Sequence, residues 1–376
     1  MKALVPLADS MWSKIYAHHG MTVNKSWILN SSNDVTDMVK RFNKTLSRHA
    51  RQHHVLKLLS YDFKNMYTNI NLPDLKARMA RFFKDAFDLK PEGSQLKVTS
   101  HGDISWVVNH TVGPHRRGPD TIDYVVYTAD NMTEWFSLLI DNQFVRFGEH
   151  LYQQVCGIPM GTNCAVFVAN LYLFTYELDF IRHLSDLNDV TTLKRFIHMG
   201  RYVDDLLAID NAALRDRLYI DGPLRGIYPR GSLQLEETGY GTSVDYMDIT
   251  LRRDYSVGIA TDVYDKRCEP GFRQIRMIRF PHIDSAISDS AKYNILTSQF
   301  IHFTRLCSTK DSFVHSITNL LAALSLKNYN KPRLLSILRK LLYWYPEIYA
   351  VRSQRHFFHC IRNGVDHTLI SNPPPF

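Results

Sequence analysis

Two adjacent aspartates, Asp204 and Asp205, lie between the apolar runs FIHMGRYV and LLAID. Flanking segments rich in β-branched and aromatic residues predict a β-hairpin that carries the aspartates at its turn. Adjacent carboxylates repel each other, and a cation relieves that repulsion, most often magnesium with its preference for oxygen ligands. Aspartate is also a favoured turn residue, so the pair alone is much more typical of an ordinary solvated turn than of a metal site.

Two other segments have residues suited to the same chemistry. The run VLKLLSYDFKNMYTNI predicts a buried strand that ends at Asp62, followed by a helix over LPDLKARMARFFKDAF with Pro73 in its first turn. Further along, Gly157, Pro159 and Gly161 form a tight loop that enters a long apolar helix. Glycine has no Cβ, so the backbone of such a loop can approach a ligand closely.

Together these segments resemble reverse transcriptases. Asp62 with Tyr67 resembles motif A of that family, Gly157 to Ala165 resembles motif B, and Tyr202 to Asp205 resembles motif C, in the family's own order. Downstream, SVDYMDITLRRD resembles the primer-grip hairpin. Residues 263–308 are similar to the segment that leads into the thumb of Penelope-like and related eukaryotic retroelement enzymes. Ordered motifs that agree are more specific than any one of them.

The resemblance implies an α+β fold: a right-hand polymerase palm, which is an antiparallel sheet with helices on one face, followed by an α-helical thumb. The expected divisions are partial fingers and lead-in helices at 1–55, the palm at 56–255 with motifs A to C and the D and E region, the thumb at 256–345, and a tail at 346–376.

Composition and helix signals add detail to this division. A segment rich in Pro, Gly and Ser at about 88–124 predicts a long surface loop inserted between motifs A and B. In the thumb, a Ser308-x-x-Asp311 capping box and Asn330 predict the starts of two helices. Beyond Pro346 we expect a frayed tail.

The implied activity is RNA-directed DNA polymerisation with two magnesium ions, for which manganese is a possible substitute. Asp62, Asp204 and Asp205 are the expected catalytic residues, and the backbone carbonyl of Phe63 is an expected further metal ligand. Two ions near 4 Å apart stabilise the attacking and the leaving oxygen of a phosphoryl transfer together.

The resemblance also implies residues that bind the nucleotide. Tyr67 matches an aromatic steric gate that excludes a ribose 2′-hydroxyl, while Pro159, Met160 and Gly161 would lie near the nucleotide. A core tyrosine with a hydrogen-bonded hydroxyl is the alternative for Tyr67, and simple packing is the alternative for Met160.

Primer contacts are expected at Tyr202 and at the turn Tyr246-Met247-Asp248, for which an ordinary amphipathic hairpin is the alternative.

A net charge of +8 favours a polyanionic partner. The partners implied are an RNA template, a DNA primer and deoxynucleoside triphosphates. Basic residues of the predicted thumb could follow the nucleic-acid backbone, although a solvated basic face explains them as well; they are Arg305, Lys327, Arg333, Arg339 and Lys340. No endonuclease motif of the GIY-YIG type follows, so an endonuclease is expected only as a separate partner. No feature indicates an oligomeric state.

Cysteine usage and hydropathy bear on location. The five cysteines form no Cys-x-x-Cys pair, which favours reduced thiols and an intracellular protein, nuclear or cytoplasmic, and no signal peptide opens the chain. The run Cys164 to Ile181 has nearly the length of a membrane span, but Asn170, Glu177 and Asp179 interrupt it. This pattern predicts a buried palm helix and no membrane partner.

Two hypotheses of different class follow. The first is a reverse transcriptase of retroelement origin. The second is a truncated or domesticated fragment that binds nucleic acid without turnover, because about sixty residues precede Asp62 and no Lys or Arg among them can be assigned to a triphosphate clamp. An RNA-templated RNA polymerase shares the metal chemistry, and Tyr67 argues against it.

Overall fold

The chain divides into two compact units in a computed structural model that describes residues 4–118, 121–222, 224–269, 271, 278–346 and 354–371. Unit 1 comprises Met1–Leu29 and Tyr61–Thr238, and unit 2 comprises Asn30–Ser60 and Gly239–Phe376. This division differs from the boundaries expected at 55/56 and 255/256, since residues 30–60 pack with the C-terminal part of the chain.

The helices of unit 1 are α1 (Val5–His18), α4 (Met66–Asn69), α5 (Leu72–Asp88), α6 (Ala129–Asp141), α7 (Ala165–Asp186) and α8 (Val190–Arg195). Its strands are β2 (Ser94–Thr99), β3 (Ile104–Val108), β4 (Gly113–Gly118), β5 (Thr121–Tyr127), β6 (Phe144–Phe147), β7 (His150–Gln153), β8 (Met199–Tyr202) and β9 (Asp205–Ile209). Two longer strands, β1 (Leu58–Lys64) and β10 (Gln234–Gly241), contribute residues 61–64 and 234–238 to this unit.

A four-stranded sheet with the order β10-β1-β9-β8 supports the unit. Beside it, α7 is buried along most of its 22 residues, as its apolar sequence predicted. Helices α1 and α5 pack against α7, with aromatic contacts such as Trp12 to Phe174 and Phe82 to Phe174. The predicted apolar stripe of α5 is confirmed, because Leu75, Met79, Phe82 and Phe83 are all buried.

The prediction of a surface loop at 88–124 is wrong. Strands β2 to β5 form a second four-stranded sheet with the order β3-β2-β5-β4, whose described pairings are antiparallel. Its alternation is hard to recognise because only Leu96 and Val126 among its described side chains are buried. Local pairing therefore builds a sheet where composition suggested a loop.

In unit 2, the helices are α2 (Ser32–Thr45), α3 (Arg48–His53), α9 (Asp289–Leu306), α10 (Lys310–Leu326), α11 (Lys331–Trp344) and α12 (Gln354–Ser371). Its strands are β11 (Ser243–Tyr246), β12 (Ile249–Asp254) and β13 (Gly258–Val263), which form an antiparallel sheet in chain order.

Helices α9 to α12 enclose one apolar core that contains Phe300, Leu321 and Leu338. Asn330 caps α11 as predicted, with its side chain accepting from the backbone N–H of Arg333. The cap of α10 is Thr309, one residue after the predicted Ser308. The prediction of a frayed tail is wrong for residues 354–371, because α12 buries Phe357 and Ile361 in the same core.

The predicted α+β class, with antiparallel sheets followed along the chain by a helical region, is confirmed. Across the described residues, no helix combines the length and the hydropathy needed to cross a membrane.

Candidate active site

Asp62 and Asp204 come together because β1, which contains Asp62, lies next to β9, which directly follows the turn that contains Asp204. The backbone N–H of Phe63 donates to the carbonyl of Asp204 at 3.1 Å, which fixes the register between β1 and the β8–β9 turn. The strand continues to Lys64, two residues beyond the end that the sequence predicted. Asp62 therefore lies within a hydrogen-bonded strand, which holds its backbone rigidly.

The predicted hairpin is present. Tyr202 pairs with Asp205 across β8 and β9, so Val203 and Asp204 form a two-residue turn. Val203 has a φ of 55°, a left-handed conformation that a β-branched residue adopts only at a conformational cost of about 1–3 kcal/mol. The turn leaves the side chains of Asp204 and Asp205 half-buried.

The carboxylates interact electrostatically. Burial raises the pKa of Asp62, and the negative charges of Asp204 and Glu236 raise it further. Burial and the charge of Asp204 likewise raise the pKa of the Tyr67 hydroxyl, while the nearby guanidinium of Arg201 opposes this shift. Asp62, Tyr67 and Asp204 thus share one electrostatic environment, which is rich in negative charge.

Glu236 is a further carboxylate near Asp62, and no motif in the sequence marks it. It lies on β10, next to β1, and its carboxylate pairs with Lys64 at 3.0 Å. Lys64 and Glu236 also line a cavity of about 370 Å³ together with Tyr219 and Arg230. No local sequence signal connects Glu236 to Asp62, because strand pairing alone brings them together.

The glycine loop packs against the segment that carries Tyr67. Gly157 donates its N–H to the carbonyl of Ile70 at 2.9 Å, and Ile158 donates to the carbonyl of Tyr67 at 2.7 Å. A Cβ on Gly157 would lie 2.4 Å from the Tyr67 carbonyl oxygen, and Gly157 has a φ of +76°. Glycine is therefore required here for packing between the two loops.

Residues 159–161 of this loop are more accessible to solvent than Gly157 and Ile158. Met160 is 70% exposed and Pro159 is half-buried, while a Cβ at Gly161 would meet nothing within 4 Å. Protein packing thus leaves room beside Gly161, as a ligand-binding loop requires. The roles of Pro159, Met160 and Gly161 in nucleotide binding stay predictions.

The second predicted hairpin lies in unit 2. Tyr246 is buried, and Met247 at the turn has a φ of 55°. Asp248 accepts a hydrogen bond from the Ser32 hydroxyl and pairs with His302 at 3.3 Å. The hydrogen bond from His302 lowers the pKa of Asp248, and that from Ser32 adds to the effect. The Asp248 side chain is thus used within unit 2, and Met247 and Asp248 are both half-buried.

The five basic residues predicted to follow a nucleic-acid backbone also lie in unit 2. Arg305, Arg333, Arg339 and Lys340 are exposed, and Lys327 is half-buried. The guanidinium of Arg333 lies 3.8 Å from the centre of the Tyr293 ring, and that of Arg339 lies 4.8 Å from the centre of Phe358. These contacts hold two of the five side chains on aromatic surfaces while leaving them exposed.

Asp62 and Asp204 fit a metal site that is completed by water and substrate better than one made of protein side chains alone. Among the described residues, no group of three or more His, Cys, Asp or Glu side chains is arranged to hold a metal ion by itself. Magnesium usually binds one or two carboxylates and completes its ligands with water and substrate phosphates. The mutually repelling pair Asp62 and Asp204 fits that kind of site.

Solved structures of known proteins are similar to this fold, whereas sequence comparisons found no match. No protein-family model matches the sequence, and a search of curated proteins found no match. A solved telomerase from Candida albicans, in complex with a TWJ fragment of telomeric RNA, has a TM-score of 0.57 at 12% identity over 98% of this chain and 57% of its own. Apo telomerase from Candida tropicalis has a TM-score of 0.45 at 14% identity over 96% of this chain and 54% of its own.

At such identities the likeness concerns the fold alone, and this chain spans only a little over half of the telomerase chain. It supports a reverse-transcriptase-like polymerase fold, with palm and helical thumb in the predicted order. It does not distinguish Penelope-like elements from other relatives.

Substituting Gly157 by alanine should destabilise the protein, because the new Cβ collides with backbone and the left-handed φ is unfavourable. We expect Gly157→Ala to lower the free energy of unfolding by about 1–3 kcal/mol, measured by chemical denaturation. Gly161→Ala is the matched control and should change it by less than about 0.5 kcal/mol, since its Cβ meets open space. Equal stability of the two variants would contradict the packing described for the Gly157 loop.

Proposed function

We propose that this chain is an RNA-directed DNA polymerase of retrotransposon origin, a nucleotidyltransferase that extends a DNA primer on an RNA template. The observation that carries the proposal is the hydrogen bond from Phe63 to Asp204. It brings together two carboxylates that are 142 positions apart in the sequence, at the places where the resemblance to motifs A and C expects them. The proposed substrates imply an intracellular site of action.

In the proposed reaction the primer 3′-hydroxyl loses its proton to solvent, and its oxygen bonds to the α-phosphorus of a deoxynucleoside triphosphate. The bond from that phosphorus to the oxygen bridging to the β-phosphate breaks, and pyrophosphate leaves. Asp62 and Asp204 would hold two magnesium ions, with Asp205 and the backbone carbonyl of Phe63 as further oxygen ligands. The bound ions supply stabilisation of the negative charge that develops on the attacking and leaving oxygens.

The chain's own residues would bind and orient the reactants. Tyr67 would lie beneath the sugar, and its main chain is held by Ile158 of the glycine loop. Pro159, Met160 and Gly161 would contact the nucleotide, where Met160 is exposed and adaptable. Tyr202, directly before the turn, would contact the primer terminus. Such positioning supplies much of the rate enhancement in phosphoryl transfer.

Primer extension on an RNA template with magnesium tests the proposal. Wild-type protein should extend the primer, and Asp204→Asn should lower the rate by at least about a hundredfold, because it removes a charge that holds the metal. Asp103→Asn is the control, since it makes the same chemical change in an exposed turn between β2 and β3.

Two results would contradict this proposal in different ways. Binding of primer–template by the wild type without extension would favour the non-catalytic nucleic-acid-binding fragment. Equal extension by wild type and Asp204→Asn would show that the carboxylates are assigned wrongly.

Sugar selection tests the role of Tyr67. The wild type should prefer deoxynucleotides, and Tyr67→Ala should reduce that preference on the order of 10- to 100-fold, measured as the ratio of kcat/KM for the two nucleotides. Tyr67→Phe keeps the ring and removes the hydroxyl, so it should retain the preference. Unchanged discrimination in Tyr67→Ala would contradict the role of Tyr67 as a steric gate.

A further inference from the structure

Helix α7 contains two buried polar side chains that apolar packing does not explain. Asn170 is 7% exposed and Glu177 is fully buried, in the part of the helix whose buried neighbours are mostly apolar. They are seven residues apart, which places them on one face of the helix, two turns from each other. A buried carboxylate is unfavourable unless it is paired, so both side chains point to a common partner.

That partner is Arg201 on β8, whose side chain is fully buried. Its Nε donates to Glu177 Oε1 at 2.5 Å, and its Nη1 donates to Asn170 Oδ1 at 2.8 Å. Its Nη2 donates to the backbone carbonyl of Asn170 at 3.0 Å. Tyr228 donates its hydroxyl to the same Glu177 oxygen at 2.8 Å, so the buried charges are paired and hydrogen-bonded.

The guanidinium of Arg201 also bonds to the turn formed by Val203 and Asp204. Nη1 of Arg201 also donates to the backbone carbonyl of Val203 at 2.9 Å. Val203 is the residue with the left-handed φ of 55°, and it directly precedes Asp204. The hydrogen bond therefore acts on the strained peptide that determines where the Asp204 backbone and side chain lie.

The main chain of Arg201 is fixed as well. Its N–H donates to the carbonyl of Trp27 at 2.5 Å, and its carbonyl accepts from the N–H of Leu29 at 2.8 Å. Because both its backbone and its side chain are held, the guanidinium is a rigid support and not a mobile one. A planar fork with five donors can make these contacts simultaneously, which a lysine cannot do.

We propose that Arg201 is a positioning residue, which uses α7 as an anchor to hold the Val203–Asp204 turn in the conformation that aligns Asp204 with Asp62. Buried ion pairs are often no better for stability than apolar side chains of similar size, so stability alone does not account for this one. The inference rests on the proposed function for its catalytic consequence, whereas the effect on the turn itself is independent of activity.

Hydrogen exchange and primer extension of two variants test this role. Arg201→Lys keeps a positive charge that can pair with Glu177, but it loses the planar set of five N–H donors. Arg201→Met combined with Glu177→Leu replaces the pair by apolar side chains, so that the fold survives even if a lone charge would not. Arg182→Lys, at the half-exposed pair with Asp85, is the control.

Both Arg201 variants should fold and melt cooperatively, with faster amide exchange confined to the segment 199–209. Extension should slow by about 10–100-fold at saturating nucleotide, with a higher magnesium midpoint, as is typical when support of a metal ligand is lost. In a Val203→Gly background, where the left-handed φ is no longer strained, the loss caused by Arg201→Lys should be smaller.

Three outcomes would overturn the inference: unchanged exchange at 199–209, unchanged rate and magnesium midpoint in an active protein, or global unfolding of both variants. If the wild type does not extend primers, the proposed function fails, while the exchange measurement still decides whether Arg201 holds the turn.

Discussion

A fully buried charge, the guanidinium of Arg201, links the apolar interior of unit 1 to the candidate active site. Its ion pair with Glu177 ties β8 to α7, and its hydrogen bond to Val203 reaches the turn that carries Asp204. Removing either partner would leave an uncompensated buried charge, which is strongly destabilising. The packing of α7 and the geometry of the turn are therefore parts of one structure.

The site built on this support concentrates unfavourable interactions. A β-branched residue has a left-handed φ at position 203, and the negative charges of Asp204 and Glu236 raise the pKa of Asp62. Such features persist where the surrounding structure imposes them, and they are typical of functional sites. Under the proposed function, a cation bound by Asp62 and Asp204 would offset the repulsion between the two carboxylates.

Local patterns in the sequence predicted the local structure well. The hairpin at Asp204, the apolar stripe of α5 and the Asn330 cap depend on residues a few positions apart. The contacts that complete the site are long-range: Arg201 meets Glu177 across 24 positions, and Glu236 reaches Lys64 only through strand pairing. Asn170 and Glu177 were visible as polar interruptions of an apolar helix, but their partner was not. The inserted sheet was missed because few of its side chains are buried.

Iron-directed cleavage tests the central claim, that Asp62 and Asp204 form one metal site, most directly. Fe²⁺ would replace magnesium in the presence of a deoxynucleotide, and ascorbate with peroxide would cleave the backbone next to the bound ion. If Asp62 and Asp204 hold the same ion, we expect two cuts, one near residue 62 and one near residue 204, both lost in Asp204→Asn. Cleavage at only one of these segments, or at neither while other sites are cut, would contradict it.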